Sequence, residues 1–88
     1  MRQFYIFIKC DLGRTYEVAS KIVDEVAETR QIHSVSGAFD LLAQFSVESE
    51  ADIGRFVNQK IQTVPGVRDT QTLICFNAFT SDKGLGEA

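Results

Sequence analysis

Tryptophan is absent from this 88-residue chain, and there is a single proline, a single methionine and a single histidine. Each shortage excludes something. With one histidine and two cysteines, the chain has too few soft ligands for a closed structural zinc site. Those cysteines, Cys10 and Cys75, both fall in apolar runs and read as reduced thiols of a core or interface, not as a disulfide framework. No stretch of apolar residues is long enough to span a bilayer. The first residues lead straight into a strand-like segment, without the small-residue cleavage site of a signal peptide. A cytoplasmic protein with no membrane contact is the expectation. Lysine and arginine nowhere form a run, and the net charge is −3 with a pI near 5.0. Affinity for phosphate backbones comes from clustered cations, so direct nucleic-acid binding is not expected.

What the chain has is apolar periodicity. Hydrophobic residues make up 44% of it, enough for one small core. Phe4 to Cys10 is a nearly continuous apolar run, read as a strand buried on both faces. Asp11-Leu12-Gly13 is a turn. From Arg14 onward Val18, Ala19, Ile22, Val23, Val26 and Ala27 recur at helical spacing, with charges opposite, which suggests a helix of about four turns. Gln31–Ser36 is a second strand, Gly37–Asp40 a turn, and Leu41–Val47 alternates as a strand with one face in the core. Ser49 offers a helix cap with Asp52 three residues on. Ile53, Phe56, Val57, Ile61 and Val64 stripe a second helix that Pro65-Gly66 stops. Thr70–Phe79 is the last strand. Residues 1–80 read as one domain, and 81–88 as a flexible tail.

The order β-α-β-β-α-β predicts an α+β, ferredoxin-like fold: a four-stranded antiparallel sheet with two helices on one face. The first strand runs antiparallel to the last, so Cys10 and Cys75 fall too far apart for a disulfide. Both faces of those two strands carry aromatic or branched side chains. A large apolar sheet face implies a partner, and a symmetric homodimer with sheets face to face is expected.

Two segments carry the candidate chemistry. In Val35-Ser36-Gly37-Ala38-Phe39-Asp40-Leu41-Leu42, Gly37 sits where a hairpin needs positive φ, and Asp40 ends the turn. In Pro65-Gly66-Val67-Arg68-Asp69-Thr70-Gln71-Thr72, Thr70 and Thr72 point to one side of their strand. An Asp in a turn commonly bonds the local backbone, and threonines suit any half-exposed strand. As a ligand set, Asp40 would meet an ammonium group, while backbone N–H groups around Gly37–Phe39 and the two hydroxyls would meet a carboxylate. Phe39 would wall the site.

These segments, in this order on this frame, resemble the effector-binding RAM domain of Lrp/AsnC-type (feast/famine) transcription regulators. The resemblance covers about Phe4 to Phe79. It implies an amino-acid effector held by Gly37, Ala38, Phe39, Asp40, Thr70 and Thr72 at contacts between dimers. It also implies a homodimer building to octamers or higher, a dimeric α+β barrel, and no cofactor or metal. Family members carry an N-terminal helix-turn-helix domain; this chain begins at the effector domain and looks like a stand-alone version that would act through a full-length regulator. Phe39 stands where tyrosine or tryptophan is more usual. Two alternatives remain open: a purely structural hetero-oligomerisation partner of full-length regulators, and a small dimeric ferredoxin-like enzyme using His33 or Arg14.

Overall fold

A computed structural model describes residues 1–79. The tail expected over 81–88 lies outside them. The elements are β1 (Arg2–Cys10), α1 (Thr15–Glu25), β2 (Thr29–Ser34), β3 (Leu41–Val47), α2 (Ile53–Phe56), a π-helical turn (Val57–Ile61) and β4 (Val67–Ile74). The four strands form one antiparallel sheet in the order β2-β3-β1-β4. This is the ferredoxin-like arrangement, with β1 and β4 paired although distant in sequence.

Alternation explains the core. Phe4, Ile6, Ile8 and Cys10 of β1 are buried, as are Leu41, Ala43, Phe45 and Val47 of β3. Register places Phe4 opposite Phe45, Ile6 opposite Ala43 and Ile8 opposite Leu41, so these side chains share one face. Val18 and Ile22 of α1 and Ile53, Phe56, Val57 and Ile61 of the second helical segment close over that face. The rings of Phe4, Phe45 and Phe56 meet at the centre, with Phe45 and Phe56 edge to face at 5.2 Å. Such contacts add about 0.5–1.5 kcal/mol per pair beyond the area buried.

The other sheet face has no helix. Tyr5, Phe7 and Lys9 lie there half-buried, so β1 is fully covered on one side only, and not on both as its composition suggests. Phe7 gains its cover from Phe39, 5.4 Å away.

Four further boundaries differ from expectation. Helix α1 runs for 11 residues, about three turns, because Val26 leaves helical geometry at φ −103° and ψ 102°. Val26 still buries its side chain, but Val23 is 55% exposed and Ala27 is also exposed. Strand β2 begins at Thr29, earlier than expected, with Thr29 Oγ1 donating to the Ile22 carbonyl at 3.3 Å. The cap of α2 is Asp52, whose side chain accepts from the Arg55 N–H at 3.0 Å; Ser49 sits in the preceding turn. Finally, β4 ends at Ile74 and not at Phe79. Beyond Phe4, its partner in β1, only exposed Arg2 and Gln3 remain in that strand, so a longer β4 has no core to cover. Cys75 is therefore exposed and outside the strand, while Cys10 is buried, and both are free.

Candidate functional site

The turn between β2 and β3 is built on Gly37, whose φ of +107° is a conformation that side-chain-bearing residues rarely adopt. Space around it is open, so the backbone angle and not crowding requires glycine. The turn delivers Asp40 to the sheet. Its N–H donates to the Ile8 carbonyl at 2.9 Å, and its carbonyl accepts from the Val35 N–H at 2.9 Å. Its Oδ2 accepts from the Cys10 N–H at 2.8 Å. One carboxylate oxygen thus supports the local backbone, as turn aspartates often do. The other has no hydrogen-bond partner among the described residues.

A cavity of about 270 Å3 opens beside that carboxylate. Lys9, Asp11, Asp40 and Arg68 bring two cations and two carboxylates to its lining. Arg68 forms no ion pair among the described residues. A lining with both signs and no formal excess suits a zwitterion better than a simple ion. Cys10 lies against it and stays protonated at neutral pH. Burial pushes its thiol up, and the charges of Asp40 and Asp11 push it further, against a hydrogen bond with Thr15 that opposes them.

The six residues singled out from the sequence fall into two groups. Gly37, Ala38, Phe39 and Asp40 are contiguous at one end of the sheet, but Phe39 turns onto the helix-free face against Phe7. Thr70 and Thr72 face Ile8 and Ile6 across β1, on the helix-bearing side. Thr70 Oγ1 accepts from Gln62 Nε2 at 2.9 Å, and Thr72 is exposed. Strand β1 lies between Asp40 and Thr70, a separation of two strand spacings, roughly 10 Å. Within one chain the two groups do not form a single pocket.

Sequence reasoning missed Lys9, Asp11 and Arg68. The signal was available. Antiparallel pairing of the first and last strands sets the end of β1 beside the start of β4, and Lys9 indeed faces Asp69. His33 and Arg14, the residues on which an enzyme would have relied, stand apart. His33 is exposed opposite Leu42, and Arg14 pairs with Glu17 on the surface. Among the described residues there is no cluster of three potential metal ligands, and no helix is long and apolar enough to cross a membrane.

Comparison with known proteins bears on this geometry. Residues 3–85 match the family model of the Lrp/AsnC ligand binding domain. An uncharacterized HTH-type transcriptional regulator of Pyrococcus abyssi is 25% identical over 72 residues, which cover 82% of this chain and 48% of that protein. A solved structure from Thermus thermophilus superposes with a TM-score of 0.82 at 25% identity, covering 92% of this chain and all of the other. A transcriptional regulator of Neisseria meningitidis, solved as its L-Met complex, has the same fold, with a TM-score of 0.74 at 20% identity over 94% of this chain and 55% of that one. The chain thus spans about half the length of these two regulators.

Proposed function

Because this chain belongs to the family of Lrp/AsnC ligand-binding domains, which is regulatory and not enzymatic, we propose that it binds an amino acid or a closely similar metabolite and couples that binding to its own assembly. The observation that carries the reading is Asp40: a carboxylate fixed to the Cys10 N–H through one oxygen, with the other unbonded, lining a cavity to which Arg68 also contributes. Asp40 receives the ligand's ammonium group. Arg68, or N–H groups of the Gly37 turn, receives its carboxylate. The L-Met complex of the Neisseria relative supports an amino acid as the ligand class.

The helix-free sheet face supports the assembly half of the reading. Tyr5, Phe7, Phe39 and Leu42 are half-buried there, and Leu73 is 46% exposed. Two such faces together bury this surface in a symmetric dimer. Dimers then associate further, towards octamers, so that Thr70 and Thr72 of one chain complete the Asp40 site of another. Ligand bound at such a contact shifts the equilibrium between assemblies by its differential affinity for them. DNA contact falls to a helix-turn-helix segment or to a full-length regulator in the same assembly, since the domain is acidic. It acts in the cytoplasm, beside the genome it regulates.

Thermal unfolding against a panel of amino acids tests the reading, with Asp40→Asn as the variant. Asparagine keeps an oxygen for the Cys10 N–H and removes the charge. Ligand at 100 times its Kd adds about 2.7 kcal/mol, a rise of roughly ten degrees or more at this length. A selective rise in the wild type that Asp40→Asn loses is the expected result. A flat panel, or a variant that responds as the wild type does, counts against it.

A further inference from the structure

Three features of the chain find no partner inside it. The first is on α1. Each residue turns the helix by about 100°, so Tyr16, Ala19, Ser20 and Val23 share one stripe at i, i+3, i+4 and i+7. Tyr16 is 77% exposed, and Ser20 and Val23 are exposed with it. On the opposite flank, Lys21 and Glu25 line a cavity with Lys60, Thr63 and Pro65, so that flank faces the second helical segment and the turn that ends it. The stripe therefore looks the other way, over β2, the strand beside which α1 packs. The second feature is β2 itself. It borders the sheet, with β3 on one side and no strand on the other among the described residues. Ile32, opposite Ala43 and half-buried, adds to the apolar surface beneath the stripe. The third is residues 75–79. They carry no charge, and Phe76 and Phe79 are 92% and 94% exposed.

A free strand edge under an apolar shelf can take up an added strand. Its unpaired N–H and C=O groups hold the incoming backbone, and the shelf holds alternate side chains. The incoming strand must be uncharged on that side, because the stripe offers a charge no partner. Residues 75–79 meet this condition. Side chains alternate along a strand, so one phenylalanine falls against Tyr16 and Val23 and the other on the helix-free face. The β4 edge offers no such shelf, since Thr70, bonded by Gln62, and Thr72 lie on its helix side. Nor can a chain serve itself. Strands β3 and β1 separate β2 from β4, three strand spacings or roughly 14 Å, and five residues spent on that crossing cannot also pair along β2.

We propose that residues 75–79 of one copy add as a fifth strand to the free edge of β2 in a second copy, beneath the α1 stripe, and that the exchange is reciprocal. This rests on the sheet-face dimer proposed above, whose buried face β4 borders at the point where the segment leaves. Strand β2 leads into the Gly37 turn, so the exchange braces the turn that carries Asp40.

Amide hydrogen exchange of the full chain tests the proposal, with each protein held at a concentration where it scatters light as a dimer. The β2 amides that do not donate to β3 should exchange about tenfold or more slowly in the wild type than in the double variant Phe76→Asp, Phe79→Asp. Both positions are exposed, so the fold survives, and exchange within β1 and β3 stays unchanged. Val23→Glu puts a charge on the shelf and should release the same β2 amides with the segment itself intact. Equal β2 exchange in the wild type and the double variant, or protection that survives Val23→Glu, overturns the proposal and leaves the sheet-face dimer standing. A wild type that scatters as one chain at every concentration overturns both.

Discussion

Two glycines illustrate how differently one residue type is required. Gly66 and Gly37 both hold positive φ, at +98° and +107°. A Cβ on Gly66 would sit 2.7 Å from Val18 Cγ2 and 3.3 Å from Arg14 Cβ, whereas one on Gly37 would meet nothing within 4 Å. Gly37→Ala should therefore cost only the backbone term, about 1–2 kcal/mol. Gly66→Ala adds overpacking of a buried valine, for a total of about 2–4 kcal/mol. Urea unfolding of both variants checks the order; equal losses would mean that Val18 moves aside freely. The cysteines make a second contrast. Exposed Cys75 should react with a thiol reagent in the native state, and buried Cys10 only on unfolding. Because folding raises the Cys10 value, its contribution to stability is present below the ordinary thiol range and lost as pH rises through the raised value. Labelling followed by mass spectrometry, repeated at alkaline pH, would show Cys75 modified alone until the fold itself loosens.

At the scale of elements, the caps are separable. Asp52→Ala removes the side-chain acceptor of the Arg55 N–H and should cost about 1 kcal/mol, while Ser49→Ala should be nearly neutral. Thermal melts of the pair decide between them, and the reverse order would restore the cap first read from the sequence. Much of the element order was legible because strand alternation leaves a plain record: Leu41, Ala43, Phe45 and Val47 are all buried, as their spacing implied. The ends were less legible, since they depend on partners. Nothing local in Cys75-Phe76-Asn77-Ala78-Phe79 says that β1 has run out of core to share; only the pairing of Phe4 with Ile74 does. The Gly37–Asp40 turn was readable from its residues. The bond that the Cys10 N–H, 30 positions away in the chain, donates to Asp40 was not, and neither was the presence of Arg68 in the lining of the same cavity.

For the whole molecule, the proposed dimer rests on the unhelixed sheet face. Phe7 packs on Phe39 and lies between Leu42 and Gln71, at the centre of a face where Tyr5, Leu42 and Leu73 are mixed with Lys9, Gln44 and Gln71. In the proposed dimer Phe7→Lys would bury two unpaired cations, so the particle mass by light scattering should fall to that of one 9.8 kDa chain. The core face is untouched, and the variant should stay folded. A Phe7→Lys protein that keeps its assembled mass places the dimer contact elsewhere.

The π-helical turn carries a consequence for heredity. Its closing bond runs from the Gln62 N–H to the Val57 carbonyl, so it spans one residue more than an α-helical turn does. Asn58, Gln59 and Lys60 are exposed within it, while Val57 and Ile61 stay in the core. A gene that lost the codon for Asn58 or Gln59 would tighten this turn into an ordinary α turn, with Ile61 still directed at the sheet. The same loss within α1 would swing Ile22 by about 100° out of the core. Of these two helical segments, the one from Val57 to Ile61 is thus the one that can lose a residue without turning its core side chains outward.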